Sequence, residues 1–252
     1  MGAGHAHSLH HAGDSVVHRL PAHVKIVTAF VMVIAVVATP REAFWVFGVH
    51  LALLVAIWVV ARLPVAAIAA RSLIEAPFVV LAVLLPFLAT GPRTEFLGLS
   101  LSVDGLLAGW NILVKGTLGV LISVTLGMTT PVRDLLAGLS RLRVPALVTT
   151  IATLMVRYLE VIAAEARRMR LARVARGHDP RFLWQIGPTI RGVGTLFLRS
   201  YERGERVHLA MLARGYTGSM PLLGEVVTST RTWAVALVPA AAAVVVAGAG
   251  YL

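Results

Sequence analysis

The sequence predicts an all-α, polytopic membrane protein with about five transmembrane helices and a basic, helical cytoplasmic region. Three observations carry that prediction. The 252 residues are 58% hydrophobic and only 14% charged, against roughly 45–50% apolar for a soluble domain. The apolar residues fall in runs close to the ~20 residues that cross a bilayer. The charge is segregated: residues 131–231 hold 16 of the 23 basic and 7 of the 12 acidic side chains, a local net of +9. Under the positive-inside rule that block stays in the cytoplasm.

In chain order, residues 1–20 are polar and histidine-rich, with His5, His7, His10, His11 and His18, and His23 just beyond. No secretory signal is read there, because the first apolar run passes straight into a second without a small-residue cleavage site. Pro21 suits the first turn of a helix. Ala22 to Thr39 is the first span, with Lys25 placed to snorkel. Pro40-Arg41-Glu42 breaks it. Ala43 to Ala61 is the second span, with Trp45 and Trp58 near its ends as in an aromatic belt. Arg62 and Arg71 bracket a polar break read as cytoplasmic, with Glu75 at the interface. Residues 76–90 form a short third run, kinked by Pro77 and Pro86. Gly91 to Asp104 is a loop with the alternation of a short hairpin. Leu106 to Thr130 is the fourth span. Its Gly109, Gly116, Gly119 and Gly127, with Thr117 and Ser123, suit close helix approach, and Asn111 and Lys115 lie one turn apart on it.

Pro131 to Arg231 is the basic region. Its one apolar stretch, Val144 to Val156, is thirteen residues between Arg143 and Arg157, too short for a comfortable span, and is read as a helix along the membrane face or packed under the bundle, with a sixth span as the rival reading. Trp233 to Leu252 is the last span. The expected division is 1–130 (tail and first four spans), 131–231 (cytoplasmic or interfacial helices) and 232–252 (last span), with the N-terminus inside and the C-terminus outside.

The basic region contains one phrase twice, Ala175-Arg176-Gly177 and Ala213-Arg214-Gly215. Glycine just past a helix takes the left-handed conformation without steric cost. Each phrase therefore predicts a helix that stops there, with arginine on its tip against the negative end of the helix dipole. Pro180 and Pro221 follow as expected after a stop. A guanidinium fork suits carboxylates, so two such tips could dock into two similar acidic clefts. Ordinary solvated charge is the rival reading.

Several function classes are excluded or disfavoured. There is no cysteine, hence no disulfide, thiolate metal site or cysteine nucleophile. The only lysines, Lys25 and Lys115, lie outside any Gly-Lys-Ser/Thr context, so the chain is no P-loop ATPase. No His-Glu-x-x-His occurs. Inverted repeats and paired intramembrane carboxylates, which would favour a self-sufficient channel or carrier, are not visible. No nucleic-acid-binding fold is visible around the basic block. The N-terminal histidines are read as a solvated tail, with no fixed metal site.

Taken in order, the two phrases, Arg157-Tyr158-Leu159-Glu160, and the start Gly13-Asp14-Ser15-Val16-Val17-His18-Arg19-Leu20-Pro21 with Lys25 resemble the transmembrane coupling component of energy-coupling factor (ECF) transporters, the EcfT/CbiQ family, in its cobalt-type branch. The resemblance implies a non-catalytic subunit of a cobalt or nickel importer, without a cofactor of its own, in the cell membrane. It implies two cytoplasmic ATPase subunits as partners, a separate metal-binding (CbiM-like) membrane subunit, and no nucleic acid. Carried over, Arg176 and Arg214 are the ATPase contacts, supported by Ala175, Gly177, Ala213 and Gly215. His178-Asp179-Pro180 is polar enough to join the first contact.

Overall fold

In lipid no water satisfies the backbone, so each membrane segment must close its own hydrogen bonds. A computed structural model describes residues 10, 11, 13–90, 92–96, 99–178, 182, 185–220 and 228–251. Two compact units emerge, one of residues 9–138 and 226–252 and one built on residues 139–225.

The larger unit is a helical bundle. It begins with the single turn α1 (Val16–Arg19), followed by α2 (Ala22–Ala38), α3 (Phe44–Ala61), α4 (Val65–Ser72) and α5 (Ala76–Leu88). A two-stranded hairpin, β1 (Arg93–Phe96) with β2 (Leu99–Ser102), precedes α6 (Val103–Thr129) and α7 (Val132–Arg141). Its strands are antiparallel, with Arg93 opposite Ser102 and Phe96 opposite Leu99, in the loop whose alternation suggested a hairpin. Ser102 caps α6, accepting from Gly105 N–H at 3.3 Å. Asp104 sits in the first turn of α6, where the helix dipole favours a carboxylate. The other unit contains α8 (Ala146–Ala175) and α9 (Gly187–Ala213), and the chain returns to the bundle as α10 (Thr230–Ala249).

The bundle is packed by small residues. The buried positions of α10 are Ala236, Ala240, Ala243 and Ala247, a stripe one helix turn apart, while Val235, Val238, Val244 and Val245 are exposed. Large side chains outward and alanine inward is the pattern expected where lipid solvates the outside and van der Waals contact holds helices together. α10 packs on α2, where Thr28 Oγ1 donates to Ala236 O at 3.0 Å and Tyr251 OH donates to Ala38 O. Met32 and Val36 of α2, Phe47 and Leu54 of α3, and Leu118, Ile122 and Met128 of α6 complete the core.

Five helical segments are long and apolar enough to cross a membrane: Phe44–Ala61, Val65–Leu88, Val103–Thr129, Ala146–Ala175 and Thr230–Ala249. Ala22–Ala38 is a shorter apolar helix. Two of these differ from the sequence reading. The third span is not a short run after a polar break. α4, a 3-10 turn at Leu73–Glu75 and α5 run on as one 24-residue segment, so Arg71 and Glu75 lie within it. Glu75 is 5% exposed and accepts from Thr117 Oγ1 at 2.8 Å, so it is not interfacial. The apolar stretch 144–156 is likewise no isolated thirteen-residue helix. From Ala146 it is the first third of α8, whose 30 residues tolerate Arg157 and Glu160 without a break.

Lys25 does not snorkel. It is 7% exposed, and its Nζ donates to Thr129 O at 2.9 Å, His18 O at 3.1 Å and Thr130 Oγ1 at 3.2 Å. It thereby caps the carbonyl end of α6 and ties α1 to it. The chain start is stitched to the same place by His11 N–H donating to Met128 O at 2.9 Å. His18 Nδ1 lies 2.7 Å from Ser15 Oγ and Nε2 lies 3.2 Å from His11 O. Burial lowers the pKa of His18, against the raising effect of its hydrogen bond to His11 O.

Replacing Lys25 with methionine keeps the stem but strands a buried carbonyl and hydroxyl, at a cost of about 1–3 kcal/mol. A thermal unfolding midpoint in detergent should fall for Lys25→Met. An unchanged midpoint would show the ammonium is not the tie.

Candidate functional site

The two repeated phrases build the same structure twice. α8 ends at Ala175, with Arg176 as its cap residue at φ −88, ψ 14 and Gly177 at φ +79. His178 N–H bonds back to Arg173 O at 3.1 Å and Gly177 N–H to Val174 O at 2.9 Å. α9 ends at Ala213, with Arg214 at φ −96, ψ 12 and Gly215 at φ +82. Tyr216 N–H bonds to Met211 O and Gly215 N–H to Leu212 O, both at 3.0 Å. Both ends are Schellman motifs, in which a left-handed residue after the cap turns two amides back onto the last carbonyls. Glycine takes that conformation freely, whereas a side chain there costs roughly 1–2 kcal/mol.

The consequence for the arginines is positional. Each occupies the cap itself, the last position before the chain reverses. Arg176, Gly177, Arg214 and Gly215 are all exposed. Among the described residues no carboxylate pairs with Arg176 or Arg214. His178 and Tyr216, directly after each glycine, are half-buried. Asp179, Pro180 and Pro221, like His5 and His7, lie outside the described residues.

α8 and α9 are joined by polar contacts that sequence reasoning missed. Glu165 on α8 accepts from Arg168 Nη2 and from Arg199 Nη1 of α9, each at 2.7 Å. Arg173 Nη1 reaches Pro188 O at 3.4 Å across Gly192, where an added Cβ would come within 2.8 Å of that nitrogen. The partner numbers fall on α9 as they rise on α8, so the helices run antiparallel and their arginine tips point to opposite ends of the pair. From Pro188 to Arg214 is 26 residues, so at 1.5 Å per residue the tips are separated by roughly 40 Å. The Glu165–Arg168 spacing of three was the available signal; Arg199 carried none. Arg167, Arg170 and Arg173 recur every third residue before Arg176; Arg167 and Arg170 are exposed while Arg173 is engaged. Glu202 and Arg206 make an exposed pair at 3.8 Å, worth a few tenths of a kcal/mol at most.

α9 has no buried residue, and its apolar side chains Ile190, Val193, Phe197, Tyr201, Leu209 and Leu212 are exposed. Of the histidines up to residue 23, His10, His11, His18 and His23 are described; among the described residues no group of three His, Cys, Asp or Glu side chains could hold a metal ion.

Comparison with known proteins points one way. The family model described as CbiQ, cobalt transport protein, matches residues 13–223. A cobalt transport protein CbiQ of Rhodobacter capsulatus is 32% identical over 145 residues, covering 55% of this chain and 59% of its own length. An energy-coupling factor transporter transmembrane protein EcfT of Bacillus selenitireducens is 29% identical over 225 residues, 82% of this chain and 81% of its own. A Methanocorpusculum labreanum protein carrying the name of a fused cobalt transport protein, CbiMQ, is 30% identical over 97 residues, 38% of this chain and 16% of its own. The match thus spans less than two thirds of the first and third of these relatives.

Valine in place of Gly177 or Gly215 should fray the last turn of its helix. Amide hydrogen exchange at residues 174–178 or 212–216 should accelerate by about tenfold, from ~1–2 kcal/mol of strain. Unchanged protection would show that the left-handed turn is not what ends these helices.

Proposed function

The chain belongs to the CbiQ family of cobalt transport proteins, and from that premise we propose that it is the coupling subunit of an ATP-driven, ECF-type importer of cobalt or nickel. In this reading it is non-catalytic. Two cytoplasmic ATPase subunits hydrolyse ATP, and a separate metal-binding membrane subunit of the CbiM type carries the cargo. The basic unit and the N-terminus face the cytoplasm, and residues 131–231 serve as the coupling region between membrane segments 1–130 and 232–252. The observation that carries the reading is the duplicated helix end: two exposed arginines, in one backbone geometry, at opposite ends of a clasped helix pair. A pair of like ATPases offers two like clefts, and a pair of like tips fits that demand. Arg176 and Arg214 are the contacts, with Ala175 and Ala213 small enough for close approach and Gly177 and Gly215 turning the chain away. The fused CbiMQ name of one relative supports a CbiM-like companion.

The chain's own residues argue for hydrolysis elsewhere. Both lysines are engaged by backbone carbonyls, Lys25 at Thr129 and His18 and Lys115 at Val37. Neither sits in a phosphate-binding loop.

The test is co-purification with co-expressed ATPases and metal-binding subunit, followed by cobalt uptake in proteoliposomes. Arg176→Glu with Arg214→Glu reverses two exposed charges. The thermal midpoint of the chain should stay put while ATPase recovery or ATP-driven uptake falls at least tenfold, equivalent to about 1.4 kcal/mol or more. Normal coupling by the double variant would sink the proposal. So would metal flux through this chain alone without ATP, the behaviour of a self-sufficient channel or carrier.

A further inference from the structure

Two helices of the bundle meet at one end and separate at the other. α10 runs parallel to α2, since Thr28 meets Ala236 and Ala38 meets Tyr251, and α3 runs against both. The start of α3 touches the end of α10, where a Cβ added at Gly250 would come within 3.1 Å of Val46 Cγ2 and 3.3 Å of Ala43 Cβ. Towards the end of α3 and the start of α10 a pocket of about 490 Å³ opens between them. Leu53, Ile57 and Val60 form one wall and Val235, Val238 and Ala242 the other, with Leu20 of α1 at the end. Each wall rises roughly 10 Å at 1.5 Å per residue, within the ~15 Å depth of one leaflet. Val60, Val235 and Val238 are each more than half exposed, so the pocket is open on its outer side.

The lining selects an apolar guest. Its polar side chains are Lys25, Thr28, Thr125 and Thr129, and each already donates to a backbone carbonyl. A transmembrane helix is about 10–12 Å across and needs a slot along the whole ~30 Å of hydrocarbon. This slot is closed at Val46 and Gly250. A flexible hydrocarbon chain entering from one membrane face meets neither obstacle.

The rim at that face is cationic. Arg19 adjoins Leu20 on α1, Arg62 stands two residues beyond Val60 at the end of α3, and Arg231 lies one turn before Val235 at the start of α10. All three are exposed. Among the described residues no carboxylate pairs with Arg62 or Arg231, and Arg19 has only a 3.8 Å contact with the exposed Asp14. One arginine at the end of a span sets topology. Three, on the three elements that frame a single apolar pocket, also suit a phosphate at the interface with its hydrocarbon below, because a guanidinium fork matches phosphate oxygens.

We propose that this pocket binds one acyl chain of an anionic phospholipid, whose phosphate is held by Arg19, Arg62 and Arg231. The site requires only that the bundle lies in a membrane, so it stands or falls independently of the arginine tips and their partners.

The test mixes the full chain in detergent with phosphatidylglycerol, phosphatidylcholine or inorganic phosphate. Native mass spectrometry reads retained lipid and a thermal scan reads stability. One phosphatidylglycerol per chain should be retained and should raise the unfolding midpoint. Phosphatidylcholine should be retained about tenfold less, and inorganic phosphate should leave the midpoint in place. Arg62→Gln with Arg231→Gln should lower phosphatidylglycerol retention about tenfold without moving the lipid-free midpoint. Ala242→Phe, which fills the pocket from the α10 wall, should abolish retention with every arginine present. Equal retention of the two lipids, or the same retention by wild type and both variants, overturns the proposal. A midpoint raised as much by inorganic phosphate overturns it in favour of a plain anion site. Because the chain has no cysteine, Val238→Cys supplies a single thiol on the pocket wall. It should react more slowly with a maleimide in phosphatidylglycerol vesicles than in phosphatidylcholine vesicles. Protection that appears only with a co-expressed metal-binding subunit overturns the proposal in favour of a protein occupant.

Discussion

Everything in this chain depends on how its helices end. A helix leaves its last carbonyls without intrahelical donors, and an apolar surrounding makes each one costly. Four ends meet the demand with a left-handed residue. Arg62 after α3 has φ 52 and Arg143 after α7 has φ 62, while Gly177 and Gly215 take φ +79 and +82. The bonding is the same throughout, as in Leu63 N–H to Trp58 O at 3.0 Å and Val144 N–H to Leu139 O at 3.2 Å. What differs is where arginine stands. At Arg62 and Arg143 it bears the left-handed strain itself. In the two Ala-Arg-Gly phrases glycine takes the turn and arginine moves back one place onto the helix tip. α6 ends differently, with Lys25 supplying donors to Thr129 and Thr130 from a neighbouring helix.

That economy at the ends allows the interfaces between helices to be small and polar where they matter. The Ala236–Ala247 stripe of α10 and the glycines of α6 bring backbones together. At Gly109 an added Cβ would come within 2.6 Å of Ala82 O, and at Gly105 within 2.7 Å of Leu85 O. α5 and α6 are therefore in backbone contact along that half. Further along α6 the added Cβ at Gly119 and Gly127 finds open space, so one helix carries both a filled and an unfilled small-residue face.

Composition and the duplicated phrase made much of this legible. The apolar runs located the helices, and Arg-Gly after an alanine located two helix ends to the residue, because glycine's freedom is a local property. What was not legible depended on neighbours. Arg71 and Glu75 read as a boundary because a charge is costly in lipid; only the packing of Thr117 against Glu75 shows how the segment accommodates it. Lys25 looked like a snorkelling residue for the same reason, and two of its three acceptors lie over a hundred positions away. Arg157 and Glu160 seemed to close a short helix, yet charge alone does not stop one: no glycine or proline intervenes before Gly177. The Glu165–Arg199 clasp joins residues 34 apart and has no local signature beyond Arg168.

The clasp gives the arginine tips their mechanical meaning in the proposed reading. Glu165 lies eleven residues before Arg176 and Arg199 fifteen before Arg214, arms of roughly 16 and 22 Å at 1.5 Å per residue. The pair is held there and again near the Arg176 end, where Arg173 reaches Pro188 O, so the Arg214 end is the longer free arm. The Glu165–Arg199 ion pair across the helices resists rotation weakly, since such a contact is worth at most about 1 kcal/mol. A tightly packed apolar seam would resist far more, but α9 has no buried residue at all. A polar hold between two largely uncovered helices thus keeps the tips in register while leaving the angle between the arms cheap to change, which a part that transmits motion between two partners requires.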